Sequence, residues 1–334
     1  ENRDFIQRML ISLELASKGN RVFLVSKYFF YKNFKYFPVG MVLDKGITNN
    51  EVQEQKKILD KKFLLSVIDE EGARYYDNEP NFIDIRISKK TSKRISHFFC
   101  WGKKQKTKIK FINENKISIS GSPKYDLYNK DLDLIYESQK KIIKKLKPYI
   151  LISSNFVYAT YKNKDFKKKI ELLKKEDESK NKLSFWNNYI KKYNFKKKVL
   201  NLFIGDLIKL SNRFKKLNFI LRPHPNDDQS FWLNKFKKNK NLKILSDFSI
   251  EPWIKECECL LSNNCTTTIE ASLIEKKTIN YSPIKRKKEK YFFNDLSYNV
   301  KSIKKLIEII KIKKKIYKKK LKRFNDYIYF DPNK

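Results

Sequence analysis

Histidine is almost absent from this 334-residue chain: His97 and His224 are the only two. Four cysteines, Cys100, Cys257, Cys259 and Cys265, show no CxxC spacing. Neither a structural zinc site nor a disulfide framework is indicated, and reduced thiols are expected. No apolar run reaches the length of a membrane span, and the first residues lack a signal-peptide core. The reading is therefore a cytoplasmic protein. Only seven glycines occur, so each one at a strand end points to a turn that needs it. Acid is also in deficit, with 37 Asp and Glu against 76 Lys and Arg and a net charge of +39. Such an excess attracts phosphate backbones and anionic lipid. Yet it is nearly all lysine, and Lys, Asn and Ile are inflated together. A solvated lysine surface and a polyanion partner both remain open on composition.

What is present is enough to build cores, since 40% of residues are hydrophobic and 14% aromatic. Residues 4 to 17 show helical spacing that ends at Gly19. Arg21 to Val25 then alternates as a strand, Asn50 to Lys62 reads as a helix, and Phe63 to Ile68, Ile95 to Trp101 and Ile117 to Ser120 read as strands. Because the chain opens directly into a helix at Glu1, a strand ahead of it is expected. A basic helix from Asp133 to Lys147 precedes a new strand at Tyr149 to Ser153, a long polar helical stretch from Phe166 to Lys215, and strands near Asn218 to Leu221, Leu242 to Leu245, Cys259 to Leu261 and Thr278 to Tyr281. This alternation predicts an α/β protein of two Rossmann-like, doubly wound domains facing a central cleft, residues 1–145 and 146–300. Residues 301–334 form a basic amphipathic helix, with Ile303, Leu306, Ile307, Ile310, Ile316 and Leu321 on one side. That helix either packs back on the protein or lies on the inner face of an anionic membrane.

Three strand-end motifs could carry chemistry. Arg222-Pro223-His224-Pro225 closes a buried strand ahead of a helix-starting Asn226-Asp227, which makes Arg222 and His224 anion-site candidates. Asp69-Glu70-Glu71-Gly72 crowds three carboxylates at another strand end, so that one of them titrates upward and can accept a proton. Ser262-Asn263-Asn264-Cys265-Thr266-Thr267-Thr268-Ile269-Glu270 sets amides and hydroxyls before a helix, a phosphate cradle without glycine. Thr267 and Glu270 also fit a capping box, which competes with a ribose-binding role for Glu270. Asp126, after Gly121-Ser122-Pro123, serves as a nucleophile or orients an acceptor if it faces the cleft, and otherwise caps a helix. Asp131 and Asp133 imitate a metal-binding DxD pair but sit in a polar helical stretch. No metal or cofactor is called for.

These residues together resemble the bacterial surface carbohydrate biosynthesis protein family and, more broadly, GT-B glycosyltransferases that use CMP-activated sugars, such as sialyltransferases and Kdo transferases. The likeness runs through most of the chain. It rests on Glu1-Asn2-Arg3, Asp-Glu-Glu-Gly, Gly-Ser-Pro-Lys-Tyr-Asp, Ser154-Asn155-Phe156, Arg-Pro-His-Pro with Trp232 downstream, and Asn-Asn-Cys-Thr-Thr-Thr-Ile-Glu-Ala. The resemblance implies a metal-independent transfer of a nonulosonic acid or Kdo from a CMP-sugar to a glycan or lipid-linked glycan, with no nucleic-acid partner. It makes Glu71, beside Glu70, the general base. His224, Thr266 and Thr267, with Arg222 and Asn264 nearby, hold the CMP phosphate. Asp126 matches an aspartate nucleophile thought to act in retaining Kdo transferases. Two departures are Glu275-Lys276-Lys277, where related chains usually show glycine and proline, and Lys124, where arginine is usual. The alternatives are a CDP-glycerol-type glycerophosphotransferase and a basic nucleic-acid-binding protein.

Overall fold

The computed structural model describes residues 2–69, 86–176, 183–284, 291–312 and 326–330. The chain forms two compact units. The first comprises Glu1–Ile135, Lys290–Phe292 and Tyr317–Lys334, and the second Tyr136–Glu289 and Phe293–Ile316. Each holds one sheet whose neighbouring strands are all parallel, the α/β class the alternation predicts.

In the first unit the order is β1 (Met41–Asp44), β2 (Leu64–Ile68), β3 (His97–Cys100) and β4 (Ile117–Ile119). Helix α1 (Asn2–Ser17) stops where expected, with Gly19 at φ +83°. Ser26 caps α2 (Lys27–Asn33) through the Phe29 amide, and a Thr48/Glu51 capping box leads into α3 (Val52–Asp60). A further short helix, α4 (Pro123–Asp126), follows β4. The strand expected at Arg21 to Val25 does not form. β1 pairs directly with β2, and without a ladder neighbour the 21–25 backbone runs without regular structure. β1 itself escaped the sequence reading because Met41–Asp44 is short and only its last residue is buried.

The second unit orders its strands β10 (Tyr298–Val300), β9 (Lys277–Tyr281), β8 (Cys259–Ser262), β5 (Tyr149–Ser153), β6 (Asn218–Arg222) and β7 (Leu242–Ile244). β5 and β8 are buried at every residue, which their unbroken apolar runs dictate. Helix α5 (Glu137–Lys144) packs in this unit, so the change of unit falls at Ile135 rather than near residue 145. The long polar stretch is two helices, α6 (Asn163–Glu176) and α7 (Leu183–Arg213). α7 buries Val199, Leu200, Phe203, Leu207 and Leu210 at helical spacing against the sheet core. Helices α8 (Gln229–Phe236), α9 (Glu251–Glu256) and α10 (Thr267–Leu273) follow β6, β7 and β8.

The C-terminal region departs from a single basic helix. Helix α11 (Ile303–Lys311) packs Ile303, Leu306, Ile307 and Ile310 into the core of the second unit. The Lys277 ammonium caps its end by donating to the Ile310 and Ile312 carbonyls at 3.0 and 2.8 Å. Of the two placements open to that helix, Ile303–Lys311 takes the one packed back on the protein. Ile316 and Leu321 lie outside the described residues.

Residues 326–330 belong to the first unit and strap the ends of β3 and β4. The Tyr329 amide donates to the Trp101 carbonyl at 2.6 Å, the Lys104 amide donates to Asp326 O at 2.8 Å, and Ile328 is buried. Tyr327 stacks on Phe292 at 4.4 Å between ring centres. A Cβ on Gly102 would lie 2.5 Å from the Tyr327 carbonyl carbon, and one on Gly121, at φ +77°, 2.4 Å from Tyr329 O. These two glycines make room for the strap. Gly72, the other strand-end glycine, lies outside the described residues.

Glycine substitutions should therefore separate by position. Gly121→Ala is expected to cost about 1–3 kcal/mol in urea unfolding and to expose the strap to limited proteolysis. Gly205, inside α7 with open space where a Cβ would go, should gain roughly 0.5–1 kcal/mol as Gly205→Ala.

Candidate functional site

In the second unit the strand order reverses at β5. The chain lays β6 and β7 to one side of it, then returns to place β8, β9 and β10 on the other. The carboxyl ends of β5 and β8 are thus the switch point at which α/β sheets open a crevice for ligands. Ser153-Ser154-Asn155 leaves β5 there, with the His224 loop after β6 on one side and the Asn264 to Thr267 loop after β8 on the other.

The His224 loop is tied down by a buried carboxylate. Oδ2 of Asp227 accepts from Ser154 Oγ at 2.6 Å, Trp232 Nε1 at 3.1 Å and the His224 amide at 3.3 Å. Its other oxygen, Oδ1, is buried without a hydrogen-bond partner among the described residues. Val157, in the turn after β5, sits at φ +50°, a conformation that costs a β-branched residue roughly 1–3 kcal/mol. Burial raises the Asp227 carboxyl above the ordinary range, and the bonds from Ser154, Trp232 and the His224 amide pull it partly back. The helix cap expected at Asn226-Asp227 falls one residue later: Asp228 accepts from the Ser230 and Phe231 amides at 3.0 and 3.4 Å, while Asp227 turns inward.

With the loop fixed, the His224 ring is oriented. Its Nδ1 accepts from the Asn226 amide at 3.1 Å, so in the neutral ring Nε2 carries the proton and is a donor. Arg222 does not share that task. Its guanidinium donates to the carbonyls of Asp247 at 2.6 Å and Phe248 at 2.8 Å and lies 5.4 Å over the Trp253 ring. Burial, the largest influence, lowers its pKa to about 10. Arg222 clamps the loop after β7, a correction to the expectation that it holds phosphate.

Across β5, the Asn264 loop is held by amides. Asn264 adopts φ +50°. Its amide donates to Asn280 Oδ1 at 2.9 Å, its carbonyl accepts from Asn155 at 2.8 Å, and its Oδ1 accepts from Asn280 and Asn294 at 3.1 and 3.0 Å. Ser153 Oγ lies 3.3 Å from Cys265 Sγ, which joins the loop to β5. Lys196 of α7 brings a positive charge to the Asn155 carbonyl at 3.1 Å.

The expected capping box is not made. α10 starts at Thr267 behind an N-cap Thr266 whose side chain makes no capping bond, and Thr267 Oγ1 is buried without a hydrogen-bond partner among the described residues. A buried hydroxyl left unsatisfied costs about 1–3 kcal/mol. Glu270 lies completely buried within the protein, so it presents no face to a ribose. The structure thus brings His224, Asn264, Thr266 and Thr267 to the two sides of one strand end. Sequence reading missed Asp227, Asn280 and Lys196, whose roles depend on partners far away in the chain.

In the first unit, Asp69 is buried at the end of β2, paired with Arg86 at 2.6 Å and accepting from Gln105 at 3.2 Å. Glu70 and Glu71 lie outside the described residues. Asp126 ends α4 and is exposed. Neighbouring protein raises its carboxyl somewhat, an effect that solvent contact weakens. Asp131 and Asp133 fall in a 3-10 turn, Lys130–Tyr136, and no group of three His, Cys, Asp or Glu suited to a metal occurs among the described residues.

No family model and no curated protein sequence matches this chain. Solved structures do. The UDP-GlcNAc 2-epimerase of Methanocaldococcus jannaschii in complex with UDP-GlcNAc and UDP aligns at TM-score 0.52 and 17% identity, over 89% of this chain and 77% of that chain. A second structure of that enzyme aligns at 0.50 and 18%, over 85% and 73%. A weaker likeness, 0.48 and 10% identity over 98% and 94%, is to an H548A variant of the wall teichoic acid polymerase TagF. At such identities the first two likenesses show the fold, a GT-B-like pair of parallel-sheet α/β units.

Asp227 offers a direct check on this construction. Asp227→Ala should lower stability by about 3 kcal/mol or more, because it strips several buried donors of their acceptor. The sign with pH follows from the raised carboxyl. The folded state binds more protons than the unfolded one, so the ionised group penalises folding fully above its folded pKa, and the penalty fades as pH falls toward the ordinary value of 3.8. Wild type should accordingly gain stability relative to Asp227→Asn as pH is lowered through that window in urea titrations.

Proposed function

We propose that this chain is a glycosyltransferase that moves a sugar, a nonulosonic acid or Kdo, from a CMP-activated donor to a surface glycan or lipid-linked glycan without a metal. The observation that carries the reading is the paired loops at the β5 switch point. One presents an oriented imidazole N–H, and the other a rigid amide and hydroxyl loop with a buried hydroxyl that lacks a partner among the described residues. Such donors suit a nucleotide phosphate whose charge grows as it departs.

In the proposed step an acceptor hydroxyl gives its proton to Glu71, and its oxygen bonds to the anomeric carbon. The bond from that carbon to the phosphate oxygen breaks, and its electron pair leaves with CMP. His224 Nε2–H and the hydroxyls of Thr266 and Thr267 stabilise the leaving phosphate, and Lys196 adds positive charge nearby. Glu71, with Glu70 beside it, comes from the family resemblance; Asp126, exposed on α4, is the second carboxylate assigned to the sugar-accepting chemistry.

Titration calorimetry with CMP, CDP and UDP, followed by a screen of CMP-sugars, CDP-glycerol and UDP-sugars as donors, tests this. CMP should bind, and His224→Ala and Thr267→Val should each weaken it about tenfold or more while cutting turnover on the order of 100-fold. Glu71→Gln should abolish turnover and leave CMP affinity intact. Preference for CDP-glycerol would replace sugar transfer by glycerophosphate transfer. Unchanged turnover in His224→Ala would sink the phosphate assignment.

A further inference from the structure

Residues 15–43 contain no Asp or Glu, five basic residues, and eight aromatics among 29 positions. That is twice the aromatic density of the chain as a whole, which is 14%. In the first unit this stretch forms a surface with a rigid base. Phe30 and Phe34 set their rings 5.8 and 6.4 Å from buried Phe63, and Phe37 packs edge-on against Phe30 at 5.4 Å. What stands above that base is exposed. Tyr28 and Tyr36 are 71% and 74% accessible, Phe29 is 51%, and the aliphatic Val39 is 63%. Lys32 lies 4.7 Å over the Tyr28 ring and Lys35 5.0 Å over Tyr36, so each exposed tyrosine carries an ammonium beside it.

We infer that this aromatic and lysine surface, centred on α2, docks the protein on an anionic lipid membrane. An apolar patch of this kind on a highly charged protein marks an interaction site. Tyr and Phe with flanking Lys are the chemistry of the membrane interface, where rings enter the headgroup layer and ammonium groups meet lipid phosphate. The charge pattern favours lipid over a second copy, since a two-fold contact would press like-charged lysines together with no acid between 15 and 43 to answer them. Lys27 does not belong to this charge, because Asp44 at 2.8 Å and Glu51 at 2.5 Å neutralise it. The aliphatics favour lipid over nucleic acid: Val39 and its neighbour Met41, 65% accessible, gain from an acyl boundary but have nothing to stack on a base. Membrane contact is one of two placements open to the C-terminal helix, and with the apolar side of Ile303–Lys311 buried in the second unit, α2 is the surface that offers it.

The test is co-sedimentation of the full chain with vesicles of phosphatidylcholine alone and of phosphatidylcholine mixed with phosphatidylglycerol. Binding is expected only to the mixed vesicles. Lys32→Gln with Lys35→Gln should weaken it about 30-fold, from roughly fivefold per lysine near an anionic surface. Tyr28→Ser with Tyr36→Ser should weaken it at least tenfold while the thermal midpoint and the oligomeric state by gel filtration stay unchanged, since both rings are mostly in water. Three results would overturn the inference: full binding by the tyrosine variant, equal loss of binding to single-stranded RNA and to vesicles in both variants, or dimers that either variant dissociates.

Discussion

A single carboxylate, Asp227, holds the candidate site in register. It is buried, and it gathers a serine from the end of β5, an indole from α8 and the His224 amide of its own loop. An ionised or half-ionised group in the protein interior is tolerable only when donors surround it. Turning the loop after β6 back on itself brings the His224 amide to the carboxylate, and the by-product is an imidazole whose tautomer and direction are set. The ring that would face a ligand is oriented by a residue that need not touch one.

The same logic runs through the asparagines on the other side of β5. Asn155, Asn264, Asn280 and Asn294 form a chain of amide contacts in which Asn155 and Asn294 donate to Asn264, while Asn264 and Asn280 each donate to and accept from the other. An amide ladder carries no net charge, so it can fix a loop beside an anion site without cancelling the site's positive potential. A carboxylate in place of Asn264 could still accept from Asn294 but would repel an anion, and one in place of Asn280 would also lose the bonds that its amide donates to Asn264 and Asn299. Lysine and arginine are used differently. Arg222, Lys277 and Lys196 each donate to backbone carbonyls, and Lys196 does so beyond the end of β5, reaching Asn155 from the long helix.

Much of the fold was legible in the sequence because it follows from local pattern. Buried strands such as Tyr149–Ser153 and Cys259–Ser262 appear as unbroken apolar runs, and α1 ends at a glycine whose positive φ only its type and position announce. The failures share a cause. Arg21 to Val25 has strand alternation but no neighbour to pair with, and pairing is not written in a segment. The C-terminal lysine-rich run reads as amphipathic with two places open to its apolar side, and Ile303–Lys311 takes the core of the second unit. For the site, the motif residues His224, Asn264, Thr266 and Thr267 do fall around one strand end, whereas Arg222 has a competing set of carbonyls that no motif reveals. Asp227 was read as a helix starter because Asn-Asp resembles a cap, and its inward turn depends on Ser154, 73 positions earlier. Glu275 adopts φ +54°, a left-handed conformation that favours glycine and that the residue type alone does not announce.

The strap of residues 326–330 ties the order of synthesis to the order of folding. Its partners in the first unit come very early in the chain; Lys104 and Tyr327, which meet through their side chains, are 223 positions apart. A nascent first unit therefore leaves the ribosome with the ends of β3 and β4 uncovered, and the whole second unit is made before the cover arrives. Closing so distant a contact is slow relative to local folding. The early unit must hold its sheet by its own core in the meantime, and its final consolidation follows, rather than precedes, the folding of the unit that comes after it.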